Sequence, residues 1–238
     1  MTPAELETWL WNARERARNA HALPENWWPN TTTKGDKTSA WALAYFLEGA
    51  ETRCFGKVLH LSAHLTDATT PVIASWKSPP AREHSPHEVL LDYSIHHWRA
   101  ASPIQMTCES EAWPFHTTGA QMEKTDDYSW DFYKLLVVPS ATRLFFARVG
   151  GKTKDPDKGS ATERIGRLLE SLQSLVDLYG PALLRPNDEL GGAIIPYSPK
   201  AVKESLVFWL DRGRLRSRQV ALPPDLTGAP EAEPEPAK

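Results

Sequence analysis

Cysteine is nearly absent: Cys54 and Cys108 are the only two in 238 residues. That excludes a disulfide framework and a Cys-rich zinc site. Residues 1–12 carry acids and no apolar stretch, so no signal peptide is expected. The Asn30-Thr31-Thr32 sequon is then idle. No run approaches the roughly 20 apolar residues of a membrane span, and a cytoplasmic location is the expectation. A strong charge of either sign is also missing. The net charge of −3 gives no global pull toward nucleic acid or anionic lipid, so any such contact needs a local basic patch. Gly35-Asp36-Lys37-Thr38 lacks the first glycine of a phosphate-binding loop and is rejected as one. No nucleophile elbow appears, and no internal repeat.

What remains is ordinary globular composition, 41% hydrophobic and 24% charged, in a chain long enough to bury a substantial core. Residues 1–222 read as a single α/β domain: a mixed central sheet flanked by helices, with its core at about 87–180 and a helical part at 1–50. Residues 223–238 are Pro, Ala and Glu rich and read as a disordered acidic tail. A helix is expected over 3–22, capped by Thr2 with Glu5 closing a capping box, and a second over 38–48, ending near Gly49. Ten tryptophans suit core packing, while Trp27-Trp28, in a loop, are the pair expected to be exposed for a protein partner. A strand within 54–65 is expected to pair with 72–76. Residues 161–179 form a clear amphipathic helix ended by Gly180-Pro181. A short strand over 193–197 and a helix from Ser198 to Leu210 complete the reading.

The stretch with chemical content is 87–150, read as strand, strand, helix, strand. In PIQMTCESEAW taken as a strand, Ile104, Met106 and Cys108 face one side, and Glu109 and Glu111 the other. Cys108 therefore points away from the two glutamates. Two carboxylates on one partly buried face raise each other's pKa, and a divalent cation keeps both ionised. Mg²⁺, or Mn²⁺ in its place, suits oxygen ligands and retains waters for substrate phosphates. Asp92 ends the apolar run VLLDY, 17 residues before Glu109. That is hairpin separation, and paired strands lie about 4.8 Å apart. On the following helix Asp127, Asp131 and Lys134 share a side, from which Lys134 can reach the carboxylates.

Asp92, Glu109-Ser110-Glu111 and a helix bearing Lys134 resemble the PD-(D/E)XK, or restriction-endonuclease-like, nuclease superfamily. The resemblance covers about 60 of the 238 residues. It implies a mixed sheet in strand–strand–strand–helix–strand order and Mg²⁺-dependent hydrolysis of phosphodiesters, with roles in phage defence, repair or mobile-element biology. Asp92, Glu109 and Glu111 would be the metal ligands, and Lys134 would join them as the fourth catalytic residue. Glu111 stands where most members have lysine, and Lys134 takes the position of a lysine migrated to the helix. DNA is the expected substrate. Lys152, Lys154 and Lys158, and the alternating Arg212, Arg214, Arg216 and Arg218, would meet its phosphates.

A second reading uses the same residues. Glu109 and Glu111 line a solvent face, Asp131 and Lys134 form a surface pair worth a few tenths of a kcal/mol, and Asp92 bonds backbone in a turn. The chain is then a non-catalytic binding protein, such as an antitoxin, immunity protein or inhibitor, on a degenerate nuclease-like fold. A homodimer is compatible with either reading.

Overall fold

The strand Ile104–Glu111 decides the layering, because its two faces bury against different helices. The structure is a computed structural model that describes residues 1–29, 37–53, 60–63, 66–76, 91–96, 104–111, 126–149 and 160–227. In chain order the elements are α1 (Pro3–Ala20), α2 (Thr38–Arg53), β1 (His60–Ala63), α3 (Thr70–Ser75), β2 (Tyr93–His96), β3 (Ile104–Glu111), α4 (Asp126–Val137), β4 (Thr142–Val149), α5 (Ala161–Leu183), β5 (Glu189–Pro196), a 3₁₀ helix (Pro199–Glu204), β6 (Leu206–Asp211), β7 (Arg214–Gln219) and α6 (Pro224–Thr227).

The seven strands form one sheet in sequential order, β1 to β7. β1, β2 and β3 are an antiparallel meander. β3, β4 and β5 are parallel, joined by crossovers that contain α4 and α5, as parallel neighbours require. β6 and β7 return antiparallel. Met106, Cys108, Leu144 and Phe146 bury on one face with α1 and α2. Phe145, Ala147, Val149 and Ile194 bury on the other with α4 and α5. This is a three-layer mixed α/β fold. No helix among the described residues is long and apolar enough to cross a membrane.

Several local expectations hold. Thr2 caps α1 by accepting from the Glu5 N–H, and Glu5 accepts in turn from the Thr2 N–H. Others are corrected. Gly49 does not end α2, which runs on to Arg53. A Cβ there would meet Met106 Cε at 2.6 Å and Leu144 Cδ1 at 3.2 Å, so the position lies in the helix–sheet contact rather than at a helix end. Residues 70–75 are helix, and β1 pairs with β2 instead. α5 continues through Gly180 and Pro181 to Leu183.

The expected helix from Ser198 to Leu210 is a short 3₁₀ segment kinked at Ala201, followed by strand β6. Val207 and Phe208 bury on opposite sheet faces, which a strand allows and an amphipathic helix does not. The tail begins later than 223: Leu226 of α6 is buried, and Asp225 pairs with the buried Arg14 at 2.7 Å. Residues 228–238 lie outside the described residues.

Trp27 and Trp28 are 4% exposed each, which removes them as a surface anchor. Both stack around Trp41, at 5.9 and 5.2 Å between centroids, and Trp28 Nε1 donates to the Pro196 carbonyl. Burying three indoles together outweighs leaving two in a loop.

Candidate active site

Five side chains, Asp92, Glu109, Ser110, Asp131 and Lys134, gather where β2 begins and β3 ends. The register pairs Tyr93 with Cys108, so Asp92, one residue earlier, lies opposite Glu109. The expectation that Asp92 closes an apolar strand is corrected: it sits in a bend just before β2. Because β2 runs antiparallel to β3, a residue at the start of β2 lies beside the end of β3. The position is fixed by Ser110, whose N–H and hydroxyl both donate to Asp92 Oδ2 at 2.8 Å.

Glu109 is 1% exposed and faces the α4 side. There the apolar stripe Tyr128, Phe132, Leu135 and Leu136 packs α4 on the sheet. That orientation turns the opposite edge of the helix toward the carboxylates. Lys134 Nζ lies 2.9 Å from Glu109 Oε1 and 2.8 Å from Asp131 Oδ1. The ammonium is close to Oε1, yet that oxygen has no well-aligned hydrogen-bond donor among the described residues. Two carboxylates, Glu109 and Asp131, thus share one cation, with the Asp92 carboxylate beside Glu109.

The electrostatics follow from that imbalance. Burial first, then the neighbouring Asp92, pushes Glu109 up to about 9, against the pull of Lys134. Burial also raises Asp92, offset by the two donors from Ser110. Lys134 is raised, because its bonds to Asp131 and Glu109 outweigh its own desolvation. Two partners raised together mean a lysine that stays charged beside a glutamate short of positive charge. An added cation would supply what is missing.

The donor set fits a hard divalent ion in this limited sense. Asp92 and Glu109 offer carboxylate oxygens at neighbouring backbone positions, and Glu109 Oε1 has only the ammonium it shares with Asp131. Glu111 is buried at the last position of β3, two residues along on the face of Glu109, and has interactions of its own. Among the described residues no three His, Cys, Asp or Glu side chains form a ready-made metal cluster. Any ion held here would take part of its shell from water or substrate, which is how Mg²⁺ is usually bound.

The basic segments do not join the site. Lys152, Lys154 and Lys158 lie outside the described residues. Arg214, Arg216 and Arg218 alternate along the exposed edge strand β7, four strands from β3, or about 19 Å at the usual spacing. Arg212 is in the β6–β7 turn with φ of 50°, so the expected single face of four arginines is a face of three. Those three each have an acidic neighbour: Asp177, Asp211 and Glu7 respectively.

Two participants escaped the sequence reading of the site. Asp131 was visible only as a surface partner of Lys134. Ser110, on the apolar-face parity of β3, gave no signal, because its role depends on the β2–β3 register. Comparison with known protein families, curated proteins and solved structures finds no match.

Proposed function

We propose that this protein is a divalent-metal-dependent nuclease that hydrolyses phosphodiester bonds, with a restriction-endonuclease-like core. The observation that carries the reading is the convergence of Asp92, Glu109 and Lys134 from a meander strand pair and the crossover helix behind it. Support also comes from the element order, α2, then three meander strands with the short α3 between the first two, then α4 and a parallel strand.

Asp92 and Glu109, with Glu111 behind them, would hold Mg²⁺ or Mn²⁺. When bound, the ion supplies Lewis acidity toward the phosphate and lowers the pKa of an attacking water. Ser110 fixes the rotamer of Asp92. Lys134, held by Asp131, places a charged donor where negative charge grows on the phosphate oxygens. Burial of Glu109 keeps bulk water from screening these charges. DNA is the expected substrate. Asp92→Ala should lower cleavage of single- and double-stranded DNA and RNA by a factor on the order of 10² or more, with folding intact by circular dichroism. Cleavage at the wild-type rate would sink the assignment.

A second reading, a non-catalytic binding protein, is favoured by one observation. The large apolar side chains exposed among the described residues, Trp130 at 58%, Val137 at 43% and Leu178 at 68%, all lie on α4 and α5. Trp130 stacks on Tyr133, and Tyr133 on Tyr179. This surface replaces Trp27-Trp28 as the place where a protein partner would bind. Absence of metal binding and of cleavage, with a partner lost on Trp130→Ala, would favour it.

A further inference from the structure

A cavity of about 440 Å³ opens between the C-terminal half of α5, the segment before β5 and the β6–β7 turn. It lies away from the carboxylate cluster, and its lining holds two aspartates, Asp177 and Asp188, and two arginines, Arg185 and Arg212. Asp188 accepts from Arg143 Nη1 at 2.8 Å and from the Arg185 backbone N–H. Asp177 accepts from Gln173 Nε2 at 2.7 Å and from Arg214 Nη1 at 3.3 Å. Each lining aspartate is therefore answered by an arginine of its own. The two lining arginines, Arg185 and Arg212, are exposed and have no carboxylate partner among the described residues, whereas Arg143 and Arg214 stand outside the lining. Val176, Gly180, Leu184 and Leu210 supply apolar wall.

The backbone at Arg212 is a second, separate observation. Arg212 and Gly213 both have positive φ, 50° and 79°, the pattern of a two-residue type I′ hairpin turn. Such turns strongly prefer Asn, Asp or Gly at the first position. Here an arginine holds a left-handed conformation that costs a β-carbon energy, and it does so at the mouth of a cavity that already has one unpaired guanidinium. Strained residues of this kind collect at ligand sites.

We propose that this cavity binds a small phosphomonoester with an apolar or aromatic body. Arg185 and Arg212 take the phosphate dianion, and the wall from Val176 to Leu210 takes the body. Two guanidiniums match a dianion by charge-assisted bonds, and the volume suits a small ligand.

Calorimetric titration of phenyl phosphate and of inorganic phosphate into the full chain tests this. Phenyl phosphate should bind saturably and more tightly than inorganic phosphate. Arg185→Gln should weaken binding about tenfold. Arg212→Gly should weaken it similarly while raising the Tm of the ligand-free protein by about 2–4 °C, because glycine relieves the turn. That opposite pair of effects separates a ligand role from damage to the fold. The proposal is overturned by absence of saturable binding at roughly 10 mM phenyl phosphate, by equal affinity for the two probes, or by unchanged binding in both variants.

Discussion

Two kinds of buried charge sit on opposite faces of the same sheet. On the α1/α2 side, Arg148 donates to Thr38 Oγ1 and to the Pro29 carbonyl and stacks 3.8 Å over the Tyr197 ring. Arg14, also fully buried, donates to the Trp27 and Glu25 carbonyls and pairs with Asp225. Several acceptors surround each guanidinium, backbone carbonyls and side-chain oxygens together. On the α4 side, Glu109 has one ammonium, shared with Asp131, and carboxylate neighbours. Each buried arginine has several oxygen acceptors, whereas Glu109 shares one ammonium with Asp131 beside a further carboxylate, and its raised pKa marks it as more than a packing element.

The comparison can be broken most forcefully on the satisfied side. Arg148→Ala removes a buried cation that bonds Thr38 and the Pro29 carbonyl, and should cost about 3–5 kcal/mol of stability. Urea denaturation reads this directly, and a loss under about 1 kcal/mol would erase the contrast. Glu109→Gln on the other side should have the opposite sign. With the carboxyl raised to about 9 from 4.5, the folded state holds a proton that the unfolded chain releases. Its contribution is therefore full below pH 4.5 and is lost as pH rises through about 9. In metal-free buffer, stability of the wild type should fall across that window, by up to about 1.4 kcal/mol per pH unit. The variant should lack this component and be the more stable protein at pH 8. Equal slopes in the two proteins would contradict the assignment.

The smallest effect sharpens the site itself. Ser110→Ala removes one of two donors to Asp92 and should cost about 0.5–1.5 kcal/mol, with a loss of roughly tenfold in Mn²⁺ affinity if Asp92 is a ligand. Unchanged Mn²⁺ affinity would leave Ser110 a structural residue alone.

Much of the site was legible because strand periodicity and helix periodicity are both local. Parity along 104–111 put Glu109 and Glu111 on the face opposite Met106 and Cys108, and spacing on α4 put Asp131 and Lys134 on one side. The hairpin distance brought Asp92 near Glu109. What could not be read was register and direction: whether Asp92 starts or ends its strand, and that Ser110 would be its anchor. Burial around Trp41 was equally invisible, since loop tryptophans look alike whether they face water or a third indole. The run 206–211 misled because it is buried on both sides, and two-sided burial erases the alternation that distinguishes strand from helix. The arginine segment was seen, but its distance from the carboxylates depends on the whole strand order.

The most direct test of the central claim is calorimetric titration of Mn²⁺ into the wild type and Glu109→Gln at pH 7.5, in buffers of different ionisation enthalpy. The account predicts saturable binding to the wild type with release of close to one proton, as the cation displaces it from Glu109, and loss of both in the variant. Binding of equal strength in the two proteins, or binding with no proton released, would contradict it.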